Sequence, residues 1–204
     1  MEIHLGNRTI LFEVINVSVR NKNQIDIFQG NKKTLKYKLE KAIVDKENRL
    51  HKFAARQIKK YRNYLNYKLG DFLLLLKNER NDDYLLYLNK YGDEKFCNFS
   101  IDNFQDDKGI YVYIIDECIK YIGRSKKTFE ERFKDYGKIT PYNCLIDGQS
   151  TNCRINSRIN NYDSFRVGFY KMNSSNDNEI KQLEKDIINH LTNNGYDIWN
   201  IQLN

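Results

Sequence analysis

In the stretch NEIKQLEKDIINHL, residues 178–191, Ile180, Leu183, Ile187 and Leu191 recur at helical spacing and predict an amphipathic helix docked on a core. At about 100° per residue the four cover an arc of roughly 80°. Glu184 falls at its edge, inside the wider arc that Ile188 completes. A second misplaced charge stands in TFEERFKDY, residues 128–136. There Phe129, Arg132, Phe133 and Tyr136 share one arc, so Arg132 and Tyr136 project with the ring pair. A guanidinium at the edge of a buried face needs an anionic partner, and a carboxylate there must snorkel out or pair with a base. Two arrangements answer both needs: a Glu184–Arg132 salt bridge in the core, or convergence of both on one cleft. In the second, Glu184 can hold a divalent cation and Arg132 can grip an oxyanion with paired planar donors.

The elements that must position these side chains are well punctuated in the second half of the chain. Strand 110–115 meets strand 119–122 through Asp116-Glu117-Cys118. Thr128 opens a helix, and Glu131, three residues on, makes a capping box with it. Another helix starts around Ser150-Thr151, with Ile155 and Ile159 inward and Arg154 and Arg158 on another face. SFRVGFY, 164–170, alternates as a third strand; the helix bearing Glu184 follows, and GYDIWNIQLN closes the chain. The order is β-β-α-α-β-α, an α+β layout with a small antiparallel sheet and flanking helices. The first half reads differently. TILFEVINVSVRNKNQIDIFQG, 9–30, alternates and predicts a hairpin turning at Asn21-Lys22-Asn23. From Thr34 to Lys68 a helical pattern runs through Leu35, Leu39, Ile43, Leu50, Phe53, Tyr61 and Leu65, broken by Gly70-Asp71. One helix over that span would be roughly 50 Å long, enough to track a nucleic-acid groove or pair with a second copy. FLLLLKNE predicts a shorter helix, and ERNDDYLLYLNKYGDEKF another ending at Gly92. Polar NFSIDNFQDDK, 98–108, marks a boundary between a 1–107 region and a 108–204 domain.

Composition narrows the partners. The 204 residues carry a net charge of +7 with 40% hydrophobic content and a single proline, the profile of a folded soluble chain. Residues 31–70 hold 13 Lys/Arg against three acids, a local +10, while the remainder holds 21 bases and 24 acids. One segment therefore supplies the basic character, which suits a polyanion or a solvated helix face. No apolar run approaches the length of a membrane span, and MEIHLGNRTI lacks the layout of a secretory signal. The four cysteines form no CxxC pair; Cys144 and Cys153 would need two further zinc ligands, so reduced thiols in a cytoplasmic protein are the simpler reading. His4, His51 and His190 are scattered and make no metal or nuclease pattern.

GIY at Gly109-Ile110-Tyr111 and YIG at Tyr121-Ile122-Gly123 resemble the signature of the GIY-YIG endonucleases. The elements that follow agree in order: Arg132 with Tyr136 one turn later, Glu184 in LEKDII, and Asn200 in WN. The resemblance covers about residues 108–204; the first hundred residues resemble nothing comparable. The hairpin between the tyrosines is about a residue short, and the loop from Gly123 to Arg132 a residue long, which bears on where Arg124, Ser125 and Lys126 lie.

The resemblance implies a DNA phosphodiester hydrolase using one Mg²⁺ or Mn²⁺ on Glu184, with water and substrate phosphate completing the shell. Arg132 would hold the scissile phosphate. Tyr111 would deprotonate or orient the attacking water, a nearby cation being needed to favour its phenolate. Tyr121 and Tyr136 would hydrogen-bond phosphate or water, though Tyr121 reads equally as a core aromatic. Asn200 would orient Glu184 or the phosphate, or simply close the chain's last turn. Arg124, Lys126, Lys127, Arg154 and Arg158 would contact DNA around the cleft, and Lys59 and Lys60 from the basic segment, or else be solvated. The 1–107 region would dock on double-stranded DNA or form a homodimer. A stand-alone restriction or anti-phage nuclease is the expectation. The alternatives are a homing or repair nuclease, and a DNA-binding protein with an inactive nuclease fold.

Overall fold

The computed structural model describes residues 1–201 apart from 45, 46, 48, 49 and 103. It is α+β, with small antiparallel sheets and flanking helices. In chain order the strands and helices are β1 (Glu2–Leu5), β2 (Arg8–Leu11), β3 (Glu13–Ser18), β4 (Arg20–Gln24), α1 (Leu35–Val44), α2 (His51–Lys60) and α3 (Leu69–Asn78). There follow β5 (Phe96–Asn98), β6 (Gly109–Ile115), β7 (Cys118–Ser125), α4 (Phe129–Gly137), α5 (Ser150–Ile159), β8 (Ser164–Lys171) and α6 (Asp177–Asn193). From β6 onward this is the β-β-α-α-β-α order expected. No helix among the described residues is long and apolar enough to cross a membrane.

The chain forms two compact units, and they do not part at residue 107. Unit 1 takes Met1–Lys22, Cys97–Lys138 and Arg158–Asn204; unit 2 takes Asn23–Phe96 and Ile139–Ser157. Pairing explains the first exchange: β3 lies antiparallel to β8 from Glu13↔Phe169 to Ser18↔Ser164. Burial explains the second, because Ile139, Cys144, Leu145 and Cys153 belong to the core made by Phe28, Leu35, Phe72 and Tyr87.

In unit 1 the sheet order is β3-β8-β6-β7. Central β6 is buried at every position because both faces are covered. Its alternation sorts the side chains. Ile110, Val112 and Ile114 pack with Ile3, Ile10 and Phe12 and with Ile180, Leu183, Ile187 and Leu191 of α6. Tyr111 and Tyr113 turn to the opposite face, against Phe133 of α4. Asp116 and Glu117, at φ 48° and 62°, form the two-residue turn, so Cys118 already belongs to β7. Tyr113 faces Tyr121 while Ile114 faces Ile119, which leaves Lys120 as the extra residue of a bulge. That insertion lets residues two apart face opposite ways: Ile119 enters the α6 core and Tyr121 joins the tyrosines.

The first half departs from its reading in four places. The tight hairpin is β1–β2, turning through Gly6 at φ 57°, whereas Asn21, Lys22 and Asn23 lie inside β4, which pairs with β5. The single long helix is two ten-residue helices, α1 and α2. Each buries its own face, through Leu35 and Leu39 or through Ala54 and Gln57, so the apolar pattern persisted across the break. Among the described residues no helix approaches the roughly 50 Å needed to track a groove or pair with a copy along its length. Gly70 ends nothing: it sits in the first turn of α3, where a Cβ would stand 2.1 Å from the Gln29 carbonyl oxygen. Residues 79–92 contain a 3-10 stretch, Asp82–Tyr87, opened by the Asn81 side chain accepting from the Asp83 N–H. Such local side-chain bonds favour a tight turn over an α-helix.

Candidate active site

A cleft of about 320 Å³ in unit 1 is lined by Tyr111, Tyr121, Arg124 and Ser125 from the sheet, Lys126 and Lys127 just after it, Arg132 and Asp135 of α4 and Glu184 of α6. Two glycines make the floor possible. Gly123 lies opposite Tyr111, and a Cβ there would come within 2.3 Å of the phenol oxygen. Gly109, at φ 142°, passes so close to β8 that a Cβ would meet the Tyr170 carbonyl oxygen at 2.3 Å.

Three phenols and a guanidinium share one network. The Tyr111 hydroxyl donates to Tyr136 at 3.2 Å, Arg132 Nη2 donates to the same oxygen at 2.6 Å, and Tyr121 meets it at 3.1 Å. Arg132 Nε reaches the Tyr111 oxygen at 3.4 Å, and its guanidinium carbon lies 4.2 Å from the Tyr136 ring centre. Proton counting then gives the network a direction. The Tyr136 oxygen has two lone pairs and one proton; accepting from Tyr111 and Arg132, it donates to Tyr121. The Tyr121 proton is left for a group in the cleft.

Electrostatics follow from burial. Tyr111 and Tyr121 are held well above the usual phenol range, first by burial and next by the neighbouring Tyr136, with Arg132 opposing. At Tyr111 burial therefore favours the neutral phenol, while the neighbouring Arg132 favours the phenolate. Burial works against the charge on Arg132, yet the oxygens of Tyr111 and Tyr136 outweigh it and hold the proton more firmly than usual. Glu184 pairs with Arg124, not with Arg132. Its carboxyl is raised above the ordinary value of 4.5 by burial, against the charge and hydrogen bond of Arg124 and the charge of Arg132.

The other expected residues divide. Lys126 and Lys127 lie at the cleft, Lys126 paired with Asp177 at 2.7 Å. Asn200 does not line the cleft and bonds not to Glu184 but to the strand: its side chain accepts from the Ile122 N–H at 3.0 Å and donates to the Ile122 carbonyl at 2.8 Å. It acts as one residue of strand on the free edge of β7, beside Tyr121 and Gly123. Arg158 stacks on Trp199 at 5.2 Å and Arg154 is buried in α5; neither is among the residues that line the cleft. Lys59 and Lys60 end α2 in unit 2, where Lys60 pairs with Asp83. Cys144 and Cys153 are free thiols in the unit 2 core. Tyr113 was missed: its buried hydroxyl has no hydrogen-bond partner among the described residues, and its ring lies 5.6 Å from that of Tyr121. Its spacing of two from Tyr111 on one strand was the available signal.

Among the described residues no group of three or more His, Cys, Asp or Glu side chains could cage a metal. What the cleft offers is two carboxylates: Glu184, shielded to 16% side-chain exposure, and Asp135, which lies 4.0 Å from Arg132 and is largely exposed. That donor set fits a hard divalent ion whose remaining ligands are water and substrate oxygen, with Arg124 its competitor for Glu184. Comparison of the chain with protein-family models, with curated proteins and with solved structures gives no match.

Proposed function

We propose that this chain is a divalent-metal-dependent endonuclease of the GIY-YIG type that hydrolyses DNA phosphodiester bonds. The observation that carries the reading is the convergence of Tyr111, Tyr121, Arg132 and Glu184, from four different elements, on one cleft. Arg132, kept charged by its phenol neighbours, binds the non-bridging oxygens of the scissile phosphate. Tyr121 donates its free proton to the phosphate or to the attacking water. Tyr111 and Tyr136 position Arg132 and Tyr121 through the network. Glu184 would hold one Mg²⁺ or Mn²⁺, which when bound supplies positive charge toward the leaving oxygen. A substrate phosphate is the natural rival for the Arg124 guanidinium and so frees Glu184 as it enters. Lys126 and Lys127 extend the positive wall along the DNA backbone.

A restriction or anti-phage nuclease in the reducing cytoplasm fits the four free thiols. Incubation with plasmid and Mg²⁺ tests the activity. Wild-type protein should nick or linearise it, Glu184→Ala and Arg132→Ala should lose at least about a hundredfold in rate, and Tyr121→Phe should lose less. Cleavage by none of them, with DNA still retarded in gels, would leave a DNA-binding module instead.

A further inference from the structure

Unit 2 contains a cavity of about 480 Å³, within the size range of small-molecule sites. Its floor is apolar: Ala42, Leu69 and Leu145 belong to the core of that unit. Its rim is aromatic and basic. Tyr37 and Tyr142 stand 48% and 54% exposed, large rings that the core does not use. Lys38 is committed to Asp147, whose carbonyl also accepts from the Tyr142 hydroxyl at 3.3 Å. Lys33 lies 4.7 Å over the Tyr37 ring, and neither it nor Lys41 makes an ion pair among the described residues.

We propose that this cavity takes the base of an unpaired nucleotide, stacked on the Tyr37 and Tyr142 rim, with its phosphate held by Lys33 and Lys41. Every base has a π-face, so stacking on tyrosine works without a particular sequence. Charge argues the same way: unit 2 holds 18 Lys/Arg against 11 Asp/Glu, hence +7, while unit 1 holds 16 of each. An acidic peptide would satisfy the lysines but leave the floor and rings uncovered. The start of α1 is not the anion holder, because its first amides already donate to Tyr67, Leu65 and Thr34. The inference rests on unit 2 alone and stands or falls apart from cleavage in unit 1.

The test is titration of the full chain, in EDTA, with single-stranded deoxy and ribo pentamers carrying 2-aminopurine, whose emission drops on stacking. Saturable quenching is expected, weakened about tenfold in Tyr37→Ser or Tyr142→Ser and kept in Tyr37→Trp. Each of Lys33→Gln and Lys41→Gln should flatten the salt dependence by about 0.7 in log–log slope. Lys181→Gln, in the other unit and outside its cleft, should leave quenching unchanged. A preference for either sugar supports the site and identifies the strand it reads. Absence of saturable quenching, or equal quenching by folded serine variants, overturns the proposal, as does equal competition by an acidic peptide.

Discussion

Glu184 is the residue on which the proposed chemistry turns, and its partner is unexpected. It spends its charge on Arg124 from β7, sixty residues away in the chain, a pairing no local pattern could reveal. Glu184 and Arg132 were legible because each interrupts an apolar helical arc, and Tyr136 because it follows Arg132 by one helical turn. Tyr113 was not, since a tyrosine in a buried strand interrupts nothing. The Glu184 carboxyl sits above its ordinary 4.5, burial being the largest cause and Arg124 the main opposing one. An acid raised in this way contributes stability that is complete below its unfolded value and lost as pH rises through its folded one. Metal-free wild-type protein should therefore lose stability relative to Glu184→Gln as pH climbs from below 4.5 to neutral, read from urea melts. In an Arg124→Ala background the loss should be larger and extend to higher pH. A wild-type-to-Gln difference that stays flat with pH would mean the carboxyl is as well hydrated folded as unfolded.

At the scale of elements, the edge strand β7 is held on its outer side by a side chain. Asn200 answers both backbone groups of Ile122, where a further strand would otherwise lie. Asn200→Ala leaves that N–H and C=O without their partner, which should cost about 1–3 kcal/mol. It should also lower turnover by loosening Tyr121, while Mn²⁺ affinity measured by calorimetry stays unchanged because Glu184 is untouched. A variant that melts like wild type would return Asn200 to a mere turn residue. Elements whose signals are local were legible: the Thr128 cap, the alternation of β8 and the stripe of α6 all fall where the sequence places them. Elements that depend on distant partners were not. Nothing near residues 13–18 announces that they pair with 164–169, and the Lys120 bulge exists only relative to β6. The split of one long helix into α1 and α2 was hidden because both halves keep an apolar face.

For the whole chain, the division of labour between units does not follow the order of residues. Unit 1, which carries the cleft, is electrically balanced, and unit 2 carries the entire net charge. Yet unit 1 cannot be cut from the second half of the chain alone. Residues 1–18 place Ile3, Ile10 and Phe12 in the core under α6, and Val17 is buried as well. Burying side chains of this size contributes about 1.5–3 kcal/mol each, against a total stability of about 5–15 kcal/mol for a typical domain. Losing four of them removes most of that margin. It also bares the edge of β8 along the register from Ser164 to Phe169, a template for aggregation. A chain lacking residues 1–18 should therefore bind ANS, lose the cooperative melt of unit 1 and lose plasmid cleavage, although every proposed catalytic residue remains. Adding the missing segment as a separate peptide should restore part of the melt, because its strand pairs through backbone bonds that need no covalent link. If the shortened chain instead melted and cut like the full one, β3 would be ornament on a sheet complete without it, and the three strands β8, β6 and β7 with their helices would suffice to hold the cleft.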